Sequence, residues 1–382
     1  MKIMLIDDEH HALHSLKGSL LDTDPFLKVT LLTNGREALD QLAREAHEVV
    51  ITDMWMPGMD GLTLLEKVKE AYPNVIRIIV DGQNDDSTTY RLLNVAHQIV
   101  QKPLDSQLIW AIISQTAAVL PLVNDEFLRR VIGNTSKLPP APSIYSELTQ
   151  LLSLPNCSVD DVVKLIGRDN TIAAKLLQLA NSAFFAYRGH SVELRAAVVR
   201  LGFNTIRHLL LSVELFEPNG IVAKTWGREL ELVQQEAFRM AQLAEQLGRG
   251  TGLAGDAFVG GLLADIGQVV LLMTQGEKWR ACRTEARLYE RPLYEVEQER
   301  FGVSHAEVGA YLLGIWGLPY SLVEAVANHH HPERIIAPIY CPSAIVAIAA
   351  ALIDGVPLNE NWLISMKAKT RVDVVRDKTS WL

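Results

Sequence analysis

Residues 51–61 read Ile51-Thr52-Asp53-Met54-Trp55-Met56-Pro57-Gly58-Met59-Asp60-Gly61. With Val49 and Val50 before it, the stretch predicts the end of a buried strand that delivers one carboxylate, Asp53, into a turn. Pro57 and Gly58 fix that turn, and Asp60-Gly61 opens a helix. A single carboxylate at a strand end is common and usually inert. Its meaning depends on what else the chain brings to it.

Two other strand ends supply the answer. The first strand, Ile3-Met4-Leu5-Ile6, ends in Asp7-Asp8-Glu9, and a late one, Gln98-Ile99-Val100, ends in Gln101-Lys102-Pro103. In an open parallel α/β sheet, ligands bind outside the carboxyl ends of the strands, so these ends converge on one crevice. Two or three carboxylates there make a hard oxygen cage suited to Mg²⁺, which favours phosphate as a co-ligand. The Lys102 ammonium offers a point charge to a phosphate oxygen. The set predicts phosphoryl transfer onto Asp53, with the carboxylate as nucleophile.

These residues, in this order and spacing, resemble the receiver domain of two-component response regulators over roughly the first 118 positions. The resemblance implies that Asp8 and Asp53 ligate Mg²⁺ directly, Asp7 acts through water, the Trp55 carbonyl completes the shell and Lys102 contacts the phosphoryl group. It also implies a cis peptide at Lys102-Pro103. Two positions depart from the family pattern. Receivers place Ser or Thr after the fourth strand, where Val75-Ile76-Arg77-Ile78-Ile79-Val80 is followed here by Asp81, and they place a reorienting aromatic where Ile99 stands. An anion about 4 Å from a phosphoryl group costs about 4 kcal/mol at an effective dielectric of about 20. Asp81 is therefore expected to pair with Lys102 or to point away, unless a slip brings Ser87 or Thr88 closer.

Around this motif the first domain alternates strand and helix. Strands near 3–6, 29–32, 49–52, 75–80 and 98–100 are separated by patterns such as Arg36-Glu37-Ala38-Leu39-Asp40-Gln41-Leu42-Ala43, giving a flavodoxin-like five-stranded parallel sheet. Asp105 is placed to cap a last helix running through Leu108 to Ile113.

The bounds are those of an ordinary globular chain. Its 382 residues predict two or three domains, and the formal charge of −9 argues against a general nucleic-acid or anionic-membrane binder. Three scattered cysteines, Cys157, Cys282 and Cys341, read as free buried thiols in a reducing cytosol. The chain enters a strand almost at once, so no signal peptide is expected. The apolar run 344–353 is too short to span a bilayer and reads as a buried helix between Pro342 and Asp354-Gly355.

A connector follows the first domain, at 119–137. Phe127, Leu128, Val131 and Ile132 share one helical face, which suits packing or a homodimer contact, and Leu138-Pro139-Pro140-Ala141-Pro142 ends the helix. Beyond Ser143 the pattern is helical without a convincing strand. Asn170 and Ser191 are candidate N-caps, and Gly189 and Gly202 break the pattern.

Residues 167–185, Gly167-Arg168-Asp169-Asn170-Thr171-Ile172-Ala173-Ala174-Lys175-Leu176-Leu177-Gln178-Leu179-Ala180-Asn181-Ser182-Ala183-Phe184-Phe185, resemble the signature of the HDOD domain, a relative of HD-type metal phosphohydrolases. The likeness continues in Ala196–Gly202, Gly261–Gly267, Ser304–Leu313 and Ala327–Pro332. It implies an all-α, HD-related domain over 138–335, with a helical extension at 336–382. HD hydrolases hold one or two metals with a His-Asp doublet and further histidines. Here the doublet reads Ala264-Asp265, and a methyl group cannot ligate. Asp265, His305, His329 and His330 survive as a degenerate set. The bland reading has Asp265 bonded to a neighbour and the histidines satisfying carbonyls at a helix C-terminus.

Arg188, Arg195, Arg200 and Arg207, with only Glu193 against them, are better read as solvated or paired faces than as a nucleic-acid surface. The expectation is a cytoplasmic response regulator. A histidine kinase is its partner, Mg²⁺ its cofactor, and its helical output domain works by contact with an unknown protein rather than by turnover, with the HD-type metal site lost. The alternatives are an output domain retaining metal-dependent phosphodiesterase or nucleotide-binding activity, and a receiver that is never phosphorylated.

Overall fold

A computed structural model describes the chain except residues 82–91, 93–94, 103–104, 124–125, 127–128, 130–131, 134, 136–146, 149, 153, 155, 182–192, 212–220, 336–338 and 379–382. The cis peptide expected before Pro103, the cap at Ser191, the break at Gly189, Ser87, Thr88 and most of the connector stripe lie outside the described residues. The chain divides into two compact units, one built chiefly of Met1–Lys137 and the other of the helices after Leu138.

In the first unit, β1 (Lys2–Ile6), β2 (Lys28–Leu32), β3 (Val49–Asp53), β4 (Ile76–Asp81) and β5 (Gln98–Gln101) form one parallel sheet in the order β2-β1-β3-β4-β5. This is the expected flavodoxin-like order. Every residue of β3 and β4 is buried, as in a central strand covered on both faces. The register sets Asp53 beside Val80 and Ile6 beside Thr52, so β1 and β3 end at the same level. The helices His10–Thr23, Gly35–Arg44, Gly61–Ala71 and Ser106–Val119 start from local chemistry. Asn34, Asp60 and Asp105 accept from Glu37, Thr63 and Gln107 backbone N–H groups respectively.

The second unit is helical throughout its described residues. Pro342–Ile353 is buried against Ile221–Gly248 and Ala254–Leu263, with Val372 and Val375 closing the same core. The stretch Ala254–Gln275 is long and apolar enough to cross a bilayer by composition, but it is mostly buried inside the domain, and its helix is interrupted at Ala264-Asp265.

Two local expectations change and one holds. The helix Asn170–Asn181 is capped by Asp169 rather than Asn170: the Asp169 carboxylate accepts the Ile172 N–H at 2.9 Å, and Gln234 takes the Asn170 N–H at 2.7 Å. Asp169 is fully buried, so the cap also pins this helix to Ile221–Gly248. Gly202 breaks the helical run Leu194–Leu211 as expected, leaving the helical region with φ of 72° and ψ of 159° between two helical segments. All three cysteines are free, yet only Cys282 is buried; Cys157 and Cys341 are partly exposed.

Candidate functional site

At the carboxyl ends of β1 and β3, oxygens of Asp7, Asp8 and Asp53 lie within 4.8 Å of one another. Asp7 and Asp53 are buried, and Asp8 faces solvent. From the end of β5, the Lys102 ammonium reaches 3.0 Å from Asp53 Oδ1 and 3.2 Å from Asp7 Oδ2. Burial pushes the Asp53 carboxyl above its ordinary value, and Lys102 only partly offsets this. Burial also works against the Lys102 charge, but the two carboxylates prevail and raise it. The result is a compact group of hard oxygens with one cation, suited to a divalent ion and a phosphate.

The loop beneath is fixed by glycines. Gly58 turns with φ of 83°. A Cβ on Gly61 would collide with the Asp53 carbonyl, so only glycine lets the next helix start this close to the strand end. Trp55 lies exposed on that loop, two residues after Asp53. Asp81 is buried at the end of β4, and its backbone carbonyl accepts the Lys102 N–H at 3.0 Å. Ile99 is buried within β5, where an aliphatic side chain fills the core and has no ring to reorient.

The second unit gathers Asp265, His305, His329 and His330. Helices Ile266–Gln275 and His305–Ile315 meet at Gly267, and the helix Tyr320–Asn328 ends at the histidine run. His305 Nε2 lies 3.3 Å from Asp265 Oδ1 and 3.1 Å from His330 Nε2. Imidazole nitrogens of His305, His329 and His330 fall within 4.8 Å of one another. Both elements of the bland reading are present. Asp265 is bonded to His305 and to Gln268 Nε2 at 2.7 Å, and His329 Nδ1 bonds the Val326 carbonyl at 2.7 Å. Among the described residues two atoms of the group are left over: His329 Nε2 and Gln268 Oε1 are buried without a partner.

Electrostatics divide the cluster. Burial alone would lower His305, but Glu297 and Asp265 outweigh it and hold the imidazolium up to about 10. Burial raises Asp265, yet the His305 bond and charge bring it down to about 2. His329 falls to about 4 through burial and then the charge of His305. His330 falls well below its ordinary value through burial and then the charges of His329 and His305. Asp354, pushed up to about 6 by burial and by Asp265, faces His330 Nδ1 at 3.5 Å. A cavity of about 560 Å³ opens onto Asp265, His305 and His330, bordered by Glu236, Arg283 and Asp354.

Nothing in residue type or spacing marks Glu297, Gln268, Glu236 or Asp354 as members of this group. Asp354 was legible only as a helix end, and Glu297 stands among other acids on a mostly polar helix. In the arginine patch, Arg195 pairs with Asp160, as a paired face would; Arg188 and the Arg207 side chain lie outside the described residues.

A model of the response regulator receiver domain matches residues 3–114, and a model of the HDOD domain matches residues 138–332. An uncharacterized protein of Treponema pallidum is 28% identical over 227 residues, covering 57% of this chain and 43% of its own length. The DNA-binding transcriptional regulator NtrC of Escherichia coli K12 is 26% identical over 221 residues, covering 56% of this chain and 44% of NtrC. The chain thus spans less than half the length of these relatives. Among solved structures, the MmoQ response regulator of Methylococcus capsulatus is 21% identical, covers 63% of this chain and 97% of its own, and has a TM-score of 0.48. An HDOD domain protein of unknown function from Geobacter sulfurreducens is 24% identical, covers 64% and 78%, and has a TM-score of 0.33.

Proposed function

Because this chain belongs to the HDOD family and carries a response regulator receiver domain ahead of the HDOD domain, we propose that it is a phospho-accepting regulator whose output domain acts by contact. The observation that carries this reading is the Lys102 ammonium 3.0 Å from the Asp53 carboxylate, in the company of Asp7 and Asp8. An Asp53 oxygen attacks the phosphorus of a phosphohistidine donated by a kinase; the P–N bond breaks as an acyl phosphate forms. Lys102 holds a phosphoryl oxygen. Asp7, Asp8, Asp53 and the Trp55 carbonyl are the groups to hold Mg²⁺, which when bound neutralises the charge gathered there. The new phosphoryl group adds about −1.5 to −2 charge, enough to bias a two-state element of the receiver. Incubation with Mg²⁺ and acetyl phosphate tests the reading: an acid-labile phosphate forms on the wild type and not on Asp53→Asn. Its absence from the wild type marks the first domain as an unphosphorylated docking platform.

Turnover by the HDOD domain is disfavoured by Ala264, which removes one ligand of the hydrolase doublet. A second reading is favoured by the buried, unpartnered Nε2 of His329. The His305, His329 and His330 imidazoles lie close enough to share one ion, and with Asp265, 3.3 Å from His305 Nε2, they make an imidazole-carboxylate set that suits zinc, iron or manganese. On this reading the domain binds a divalent transition metal without needing to hydrolyse anything. Metal analysis of the purified chain tests it: stoichiometric metal is expected, and it is lost in both His305→Ala and Asp265→Ala.

A further inference from the structure

Glu297 is fully buried in the helix Leu293–Phe301, where a carboxylate is costly unless its oxygens are occupied. Both are. Oε1 accepts the Trp279 indole N–H at 2.8 Å. Oε2 accepts the backbone N–H of His305 at 2.8 Å and faces His305 Nδ1 at 2.6 Å. The indole and the amide have hydrogens to give and nothing to accept with, so the carboxylate presents acceptors on every side. Nδ1 facing it must carry a hydrogen. The ring is thereby pinned at one edge, and the opposite atom, Nε2, is the one aimed at Asp265 and His330.

We propose that Glu297 is the positioning residue of the Asp265, His305, His329 and His330 cluster: it fixes the ring of His305 so that Nε2 faces a divalent transition metal. A histidine that ligates through one nitrogen while the other donates to a carboxylate has its tautomer and orientation set by that carboxylate, and loss of the partner weakens metal affinity. The inference rests on the metal-binding reading above and adds the residue outside the ligand set that governs it. A purely structural Glu297 would tie the helices Glu277–Leu288, Leu293–Phe301 and His305–Ile315 together without affecting the cluster. The two roles separate in Glu297→Gln. Glutamine keeps the shape but offers one acceptor and a donor pair to three donors. Relief comes if the neutral ring, the form that ligates, keeps its one hydrogen on Nε2 rather than Nδ1, which blocks the ligand position.

The experiment is a calorimetric titration of the full chain, stripped with chelator, with Mn²⁺ and with Zn²⁺. Glu297→Gln is expected to bind about 10- to 100-fold more weakly than the wild type. Its far-ultraviolet circular dichroism and Asp53 labelling by acetyl phosphate should be unchanged. Trp279→Phe, which removes one donor and leaves the carboxylate, should bind more tightly than Glu297→Gln. Equal affinity in Glu297→Gln and the wild type overturns the proposal while leaving the metal site standing. A wild type that binds neither ion overturns the metal-binding reading itself and the proposal with it. Should Glu297→Gln fail to fold, nitrogen-15 shifts of His305 in the metal-loaded wild type decide: a hydrogen on Nδ1 with the metal on Nε2 is expected, and the reverse overturns it.

Discussion

Gly267 lies so close to His305 that a Cβ on the glycine would collide with the histidine's backbone carbonyl and crowd the Gly309 nitrogen. Two helices approach at van der Waals distance there, and the approach sets Asp265, two residues earlier, within reach of the His305 ring. Gly267→Ala must push backbone, which is stiff, rather than the end of a side chain. Overpacking of this kind costs about 1–3 kcal/mol. Urea denaturation should show that loss, and metal titration should show a weakened site in the fraction that folds. Stability and metal affinity matching the wild type would contradict the stated approach.

Stability of the metal-free chain should depend on pH in opposite directions on either side of neutrality. His305 is held up to about 10, against an ordinary value of 6.5. Its contribution is complete below about 6.5 and is lost as the pH rises toward 10, because the unfolded chain has already released that proton. His329, lowered to about 4, acts the other way: from 6.5 down toward 4 the unfolded chain takes up a proton that the folded one refuses. Asp354, raised to about 6, offsets part of that acid loss, since its folded form gains the proton first. Urea midpoints measured with chelator from pH 6.5 to 10 should fall, and His305→Gln should flatten the slope. A wild-type midpoint constant over that range would exclude an imidazolium between Asp265 and Glu297.

The receiver half was legible because its logic is local. Asp7-Asp8, Asp53 and Lys102 each sit at the end of an apolar run, and a parallel sheet brings strand ends to one edge whatever the side chains between them do. The HDOD cluster was half legible. Asp265 and the histidines stood out by type and order, but Glu297 did not: a buried carboxylate is recognised by what faces it, here Trp279 and His305 from two other helices. The cap at Asp169 was misplaced by one residue for a related reason. Asp and Asn are equally good caps, and Gln234, 64 residues away, occupies the Asn170 amide and bonds the Asp169 carboxylate.

Asp81 should restrain the switch. It stands buried where a hydroxyl would bond the phosphoryl group, and it contacts Lys102 through its backbone carbonyl. Threonine there removes an anion whose repulsion at about 4 Å is worth about 4 kcal/mol. With Mg²⁺ and acetyl phosphate, Asp81→Thr should label several-fold more than the wild type and show a larger change in Trp55 fluorescence. Identical labelling and an identical spectral response in both proteins would mean the carboxylate points away from the phosphoryl oxygens.

Arg77 should hold the end of the connector to the receiver. It lies at the amino end of β4, fully buried, opposite Val50 in the register. Its guanidinium donates to the carbonyls of Val95 at 2.7 Å, Val75 at 3.0 Å and Gly133 at 2.6 Å, and more distantly to Pro73. His97 reinforces the arrangement: its Nδ1 accepts the Arg77 backbone N–H at 3.0 Å, which leaves Nε2 to donate to the Gly133 carbonyl, also at 3.0 Å. A guanidinium has the fork for several acceptors at once, and an ammonium does not. Arg77→Met keeps the apolar stem, strands the Val75 and Val95 carbonyls, each at a desolvation cost of about 1–3 kcal/mol when left unpaired, and leaves Gly133 to His97 alone. The variant should lose several kcal/mol in urea denaturation and should be cut by protease near residue 133 well before the wild type. Arg77→Lys should recover only part of either loss. Cleavage at the wild-type rate in Arg77→Met would show that the connector is held by its apolar contacts, with the carbonyl clamp contributing nothing.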